Sequence, residues 1–84
     1  MEELEYQYWD DLEHLKLVNN FTYHPPIADQ HVRYELLRIE FRSLAEKILG
    51  HCPPSRERSL ALTKLEEAVF WANASIARNE KLGE

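Results

Sequence analysis

The sequence has little cysteine and glycine, and its histidines are scattered; each of these features excludes a class of site. A single thiol, Cys52, cannot form an internal disulfide, which indicates a reducing compartment. The two glycines, Gly50 and Gly83, are too far apart to build a glycine-rich phosphate loop. Of the four histidines only His51 lies beside the cysteine, so the spacing of a zinc finger is missing. The sequence therefore predicts no metal site and no cofactor.

Long apolar runs are also missing. No stretch reaches the roughly 18 apolar residues that a membrane-spanning helix needs. The first residues, MEELEYQYWDDLEHL, are acidic and have no continuous apolar segment, unlike a secretory signal. We therefore expect a cytoplasmic protein.

Size and charge narrow the function classes further. A chain of 84 residues forms one small domain that buries only about 60–65% of its unfolded surface, so oligomerisation is an expected source of stability. The net charge of −5 disfavours binding to polymeric nucleic acid, which needs a basic surface. Residues 1–20 contain six acids and one base, whereas the remainder contains nine of each. The rest of the chain could therefore hold a small anion in a local arginine-rich pocket.

Two proline pairs divide the chain into three predicted helices, because proline disfavours helix at its own position and before it. The pairs are Pro25-Pro26 and Pro53-Pro54. The first helix is predicted over Glu2 to Leu17, because apolar residues recur there at helical spacing. Asn19-Asn20 suit its C-terminal end. The apolar face comprises Leu4, Tyr8, Leu12 and Leu15, and Trp9 widens it.

The second helix is predicted over Ala28 to Leu49, with Asp29 in its first turn and Gly50 at its C-terminal cap. It has two apolar stripes, more than one partner helix needs; one is Val32, Leu36, Ile39 and Ser43, and the other is Leu37, Phe41, Leu44 and Ile48. The third helix is predicted from an N-cap at Ser55 to about Asn79. Its seam for a neighbouring helix comprises Leu62, Leu65, Val69, Ala72 and Ile76.

These elements predict an all-α fold. The short connection from His51 to Pro54 favours an antiparallel hairpin of the second and third helices. We expect residues 1–20 to form an additional acidic N-terminal helix and residues 21–84 to form the proline-rich element and the hairpin. Three large apolar residues fall off the seam and would face another subunit, the first helix or a ligand: Leu60, Phe70 and Trp71. We expect the chain to assemble as a helical homo-oligomer.

The candidate binding residues each have two interpretations. Tyr23, held before Pro25 and Pro26, would be a rigid platform for a nucleotide base, or would merely cover the helix ends. The arginines of the second helix could bind phosphate, or pair on the surface with nearby glutamates (Glu35, Glu40 and Glu46); they are Arg33, Arg38 and Arg42. Asn73 is a poor helix former that suggests a specific hydrogen bond, and Arg78 either binds a ligand or complements the helix dipole.

Catalytic arrangements are weak. Glu66 and Glu67 are adjacent and point in different directions on a helix, so they do not form a carboxylate pair. Ser55 or Ser59 with His51 would lack a third group and an oxyanion loop. We therefore predict that the protein is not an enzyme.

One long pattern carries a family resemblance. It begins at Tyr23-His24-Pro25-Pro26, continues through Gln30, Tyr34 and Leu44-Ala45-Glu46, and ends in the run from Cys52 to Arg78, CPPSRERSLALTKLEEAVFWANASIAR. This pattern, over about Thr22 to Asn79, resembles the small phage anti-CBASS proteins that sequester cyclic nucleotides, whose helical hairpin is shared with phage anti-Thoeris sponges.

The resemblance implies a phage-encoded immune-evasion protein of the host bacterial cytoplasm. Such proteins assemble as homohexamers, bind cyclic dinucleotides such as cyclic GMP–AMP between subunits, and in some cases bind cyclic trinucleotides at separate sites. They do not cleave the ligand, and they withhold it from the CBASS effector. The expected dinucleotide contacts are Tyr23, Pro25, Arg38 and Arg42; the expected trinucleotide contacts are Asn73 and Arg78.

The chain departs from the pattern in two places: Ile27 stands where a hydroxyl residue often begins the helix, and the acidic N-terminal segment is longer than the minimal hairpin needs. Two other hypotheses stay open. One is a helical oligomeric adaptor that binds a host protein without a nucleotide. The other is a DNA-binding regulator, which the missing basic face disfavours.

Overall fold

The computed structural model describes Tyr8 and residues 10–80, and within this part of the chain all regular structure is helical. Helix α1 runs over Asp11–Asn20, α2 over Gln30–His51 and α3 over Arg56–Asn79. The predicted all-α class and three helices are confirmed. No helix in the described part is both long and apolar enough to cross a membrane.

Helix α1 begins and ends later than predicted. Asp10 caps it: its side chain accepts from the Glu13 backbone N–H at 2.7 Å, and the Glu13 carboxylate accepts from the Asp10 N–H at 3.2 Å. Such a capping box fixes a helix start because it satisfies two backbone donors that have no partner within the helix. Tyr8 is therefore outside the helix, and the predicted apolar positions Leu4 and Trp9 lie outside the described residues.

Helix α2 is also displaced towards the C-terminus. Asp29 is its N-cap residue and makes no side-chain capping bond, so it does not occupy the first turn as predicted. Gly50 lies inside the helix, and Cys52 is the C-cap with an extended backbone (φ −113°, ψ 135°). The prediction that Gly50 ends the helix is wrong, because Pro53 already restricts the residue before it to extended conformations.

Helix α3 begins where the sequence predicts. The Ser55 hydroxyl accepts from the Arg58 backbone N–H at 3.1 Å, and the helix ends at Asn79. Arg58 in turn donates through Nη1 to the carbonyl oxygens of Leu49 (3.3 Å) and Cys52 (3.2 Å), which are near the end of α2. At the other end of the hairpin, Arg33 near the start of α2 binds Glu80 just after α3. Because the start of each helix contacts the end of the other, the hairpin is antiparallel.

A single chain has almost no buried interior. Among the described residues only Gln30 is buried, at 4% exposure, and no hydrophobic side chain is. The predicted seam on α3 is half-buried against α2 along its whole length. The stripe on α2 formed by Val32, Leu36 and Ile39, here called the outer stripe, is 48%, 57% and 52% exposed. Phe70 and Trp71 on α3 are exposed as well, so α1 does not cover them.

Candidate functional site

A shallow cavity of about 430 Å³ lies where the ends of α1 and α3 meet the first half of α2. Its walls come from three parts of the sequence that are far apart: the end of α1 with the proline-rich loop, the first half of α2, and the last turns of α3. The lining residues are Asn20, Thr22, Tyr23, His24, Pro26, Tyr34, Arg38, Asn73, Ala74, Ala77 and Arg78. The cavity therefore brings together four of the six predicted site residues, namely Tyr23, Arg38, Asn73 and Arg78.

The loop wall presents Tyr23 to solvent. Its side chain is 81% exposed, so the interpretation that it covers the helix ends is wrong. Pro26 lines the cavity beside it, whereas Pro25 does not. Since proline fixes φ, the pair limits how far the loop bends and holds the ring at the cavity mouth. An exposed aromatic ring at the edge of a concave surface is a suitable partner for a nucleotide base.

The three arginines of α2 differ in their surroundings. Arg38 lines the cavity and is paired on the surface with Glu35, with both side chains more than half exposed. Arg42 pairs with Glu46 at 3.7 Å and lies outside this cavity. It lines instead an apolar groove of about 270 Å³ between α2 and α3, together with Arg38 and Phe41. An exposed ion pair contributes little stability, so the Arg38 guanidinium can exchange Glu35 for an anionic ligand at small cost.

The α3 wall combines small and polar residues. Ala74 and Ala77 leave space for close approach, and Asn73 and Arg78 supply the polar groups. The Oδ1 atom of Asn73 is buried and has no hydrogen-bond partner among the described residues. Leaving a buried acceptor unpaired costs about 1–3 kcal/mol, so this wall of the cavity contains a polar atom that the described residues do not satisfy.

Arg78 offsets the negative electrostatic potential that two helix C-termini create at the cavity. The C-terminal ends of α1 and α3 both lie there, and a helix C-terminus carries partial negative charge. Arg78 Nη2 donates to the Asn20 carbonyl oxygen at the end of α1, 3.3 Å away. Any anion at this site would therefore depend on the guanidinium groups of Arg38 and Arg78, because the helix ends repel it.

A polar cluster joins the start of α2 to the residue that follows α3, and we call it the clasp: Asp29, Gln30, Arg33 and Glu80. Glu80 accepts from Arg33 Nη1 at 2.6 Å and Nη2 at 2.7 Å, and from Gln30 Nε2 at 2.9 Å. Gln30 Oε1 accepts from the Ile27 backbone N–H at 3.0 Å, which ties the proline-rich loop to the same cluster. Arg33 is thus committed to structural pairing, with Glu80 and Asp29 as its partners.

The clasp predicts a specific acid sensitivity. The hydrogen bonds from Arg33 and Gln30 lower the pKa of Glu80 from 4.5 to about 2. A carboxyl group whose pKa is lowered in the folded state stabilises the fold fully above its unfolded pKa, and loses that contribution as the pH falls towards the folded value. We expect the melting temperature of the wild type to fall more steeply between pH 4.5 and pH 2 than that of Glu80→Gln. Parallel melting curves over this range would contradict the role of the clasp.

Several residues that line the cavity were not predicted from the sequence. Tyr34 places a second aromatic ring in the cavity, and Thr22, His24 and Asn20 complete its loop wall. Tyr34 belongs to neither apolar stripe of α2 but stands in the pattern that carries the resemblance, which is the signal that could have identified it. Asn20 ends α1, Thr22 and His24 follow in the loop, and only the position of α3 brings these three into a site. Within the described residues, no group of three metal-ligating side chains is close enough to hold a metal ion.

Comparison with known proteins identifies a family that the sequence matches. A family model described as "Acb2/Tad1, hairpin domain" matches residues 13–77, which is most of the chain. No curated protein and no solved structure gave a significant match. The matched span contains Tyr23, Arg38 and Asn73, and Arg78 follows one residue after its end.

Proposed function

Because this chain belongs to the Acb2/Tad1 hairpin family, we propose that it binds cyclic oligonucleotide second messengers and withholds them, uncleaved, from the CBASS effector that they activate. The family is one of sponge-type binding proteins known for sequestering cyclic oligonucleotides. A cyclic dinucleotide such as cyclic GMP–AMP is the principal ligand that we propose, with a cyclic trinucleotide as a second one.

The observation that carries this proposal is the cavity shared by Tyr23, Arg38, Asn73 and Arg78. A cyclic oligonucleotide offers flat bases, anionic phosphates and hydrogen-bonding base edges, and the cavity offers a group for each. Tyr23 would stack on a base, and Arg38 would bind phosphate through two parallel hydrogen bonds. The Asn73 side chain and Arg78, on the α3 wall, would hydrogen-bond to a trinucleotide. Arg42, in the adjoining groove, would contact a ligand only at the edge that extends past Arg38.

We propose that the site is completed by a second copy of the chain. A cyclic dinucleotide is close to two-fold symmetric, and a two-fold interface presents each residue twice in matching positions. One Tyr23 and one Arg38 from each copy would then contact both bases and both phosphates. The exposed outer stripe and the exposed Phe70 and Trp71 supply apolar surface for such contacts. We propose a homohexamer, as the resemblance implies, with Asn73 and Arg78 as its trinucleotide contacts.

We further propose that the protein acts in the cytoplasm of an infected bacterium, where cyclic nucleotide messengers are made. Capture there requires no chemistry on the ligand. Stoichiometric withdrawal is enough when the number of binding sites exceeds the number of messenger molecules.

Calorimetry with a panel of ligands tests the function directly. The panel comprises 3′,3′-cyclic GMP–AMP, cyclic triadenylate, glycocyclic ADP-ribose and a linear dinucleotide as control. We expect saturable binding of at least one cyclic oligonucleotide, with the ligand recovered intact by chromatography after heat denaturation of the protein. Recovery of linear or hydrolysed nucleotide would contradict sequestration and indicate a nuclease. Absence of heat with every cyclic ligand would favour the host-protein adaptor instead.

A further inference from the structure

The ends of α1 and α3 hold each other at the edge of the cavity. The Asn19 side chain donates through Nδ2 to the Arg78 carbonyl oxygen at 3.0 Å, and Arg78 donates through Nη2 to the Asn20 carbonyl oxygen at 3.3 Å. The Arg78 carbonyl is among the last four of α3, which have no partner within their own helix. Asn19 therefore provides, from 59 residues away in sequence, a cap that α3 cannot provide for itself.

Asn19 also holds the loop that carries Tyr23. The Asn19 carbonyl oxygen lies 2.9 Å from His24 Nε2, which identifies Nε2 as the protonated nitrogen that donates this bond. The Thr22 backbone N–H donates to the same oxygen at 3.4 Å. One residue at the end of α1 thus binds the neighbours of Tyr23 through its main chain and the residue Arg78 through its side chain.

We propose that Asn19 is a positioning residue for messenger binding, which fixes the distance between the Tyr23 wall and the Arg78 wall of the cavity without contacting the ligand. The inference rests on the proposed function. It assigns a binding role to α1, which otherwise stands outside the hairpin. Affinity depends on such pre-organisation, because a ligand that must first order two mobile walls loses the free energy needed to order them.

Asn19 can be replaced by alanine without a loss of helix propensity. Asn19 lies in the last turn of α1, and alanine is a better helix former than asparagine. Asn19→Ala therefore removes the side-chain bond to the Arg78 carbonyl oxygen without weakening α1 itself, and it leaves the bond from Arg78 Nη2 to the Asn20 carbonyl oxygen in place. The matched control is Asn79→Ala, which removes an amide that, among the described residues, bonds locally from Nδ2 to the Ser75 carbonyl oxygen at 3.0 Å on the same helix.

With 3′,3′-cyclic GMP–AMP as the probe, we expect Asn19→Ala to lower the affinity by about five-fold, as for the loss of one net hydrogen bond. Asn79→Ala is expected to leave the affinity unchanged. His24→Leu removes the side-chain bond from the loop wall to the Asn19 carbonyl oxygen, leaves the bonds of Thr22 to α1 in place, and is expected to lower the affinity by a similar factor. Both substitutions loosen the same pair of walls, so their effects on affinity should not add. The affinity of the double variant should lie within about two-fold of that of the weaker-binding single variant.

Additive losses in the double variant, or an Asn19→Ala affinity equal to that of the wild type, would overturn the inference. A second measurement needs no ligand: the NMR signals of the Tyr23 ring should shift in Asn19→Ala, although the removed amide bonds only to Arg78. Unchanged Tyr23 signals would likewise overturn it. Wild-type protein that shows no heat with any cyclic ligand while its Tyr23 signals still respond to Asn19→Ala would contradict the proposed function and leave the coupling of the two walls intact.

Discussion

Replacing Arg38 with alanine is expected to lower the affinity for 3′,3′-cyclic GMP–AMP by about 10- to 100-fold. The reason is the loss of the charge-assisted contact with phosphate, and a hydrogen bond to a charged group contributes about 1.5–3 kcal/mol. Arg38 lines both the cavity that contains Tyr23 and the apolar groove that contains Arg42. No other described residue lines both, so no other side chain can replace its contact with phosphate where the two meet. Titration calorimetry measures the change.

The effect should be confined to binding. The surface pair between Arg38 and Glu35 is exposed and contributes at most about 1 kcal/mol to stability, so the variant should fold and assemble as the wild type does. Arg56→Ala is the matched control, because it removes one exposed positive charge at the opposite end of α3 from the cavity. Arg38→Lys should recover part of the affinity, since it keeps the charge and loses the bidentate geometry. An Arg38→Ala affinity equal to that of Arg56→Ala would reject this site assignment.

Placing a charge in the outer stripe is expected to abolish assembly. Leu36 is 57% exposed in the single chain and lies in the middle of the outer stripe, between Val32 and Ile39. If a second copy covers this stripe, Leu36→Glu would bury an unpaired carboxylate, which costs about 3 kcal/mol and corresponds to a more than 100-fold weaker association. Light scattering should report the mass of a single chain for this variant under conditions where the wild type is a multimer.

Thr63→Glu is the matched control for assembly. Thr63 is exposed on α3 and lies outside the outer stripe and outside the cavity, so the same carboxylate there should remain in water. Equal masses for the wild type and Leu36→Glu would show that the outer stripe is not an interface. The exposed Phe70 and Trp71 would then be the next apolar surface to test for contacts between copies.

The hairpin could be predicted from sequence because its determinants are local. Ser55 supplies a capping hydroxyl, the proline pairs limit the helices, and the spacing from Leu62 to Ile76 repeats one face of α3. The errors were local as well. The capping box of Asp10 and Glu13 is visible in the sequence, but the apolar pattern before it favoured an earlier start. Gly50 suggested a helix end, although Pro53 determines the end two residues later.

The site could be predicted only in part, because its geometry depends on contacts between distant segments. Residue chemistry identified Tyr23, Arg38 and Arg78 one by one, and the resemblance assigned the arginines to different ligands. Tyr23 and Arg78 reach one cavity through the hydrogen bonds that join the end of α1 to the end of α3, and the packing of α3 on α2 adds Arg38. No periodicity indicates such bonds. The clasp shows the same limit, because Gln30 and Glu80 are ordinary polar residues until the hairpin brings them together.

The scarcity of buried apolar surface has a consequence for dosage. If the copies assemble as proposed, a chain that buries so little apolar surface by itself would gain folding free energy from other copies, so its folded fraction would rise with its own concentration. The number of working sites would then increase more steeply than the number of chains made. Early in synthesis a messenger pool would be nearly untouched, and past a threshold of expression it would be emptied over a narrow range. The timing and strength of the promoter would then decide the outcome as much as the affinity of the site.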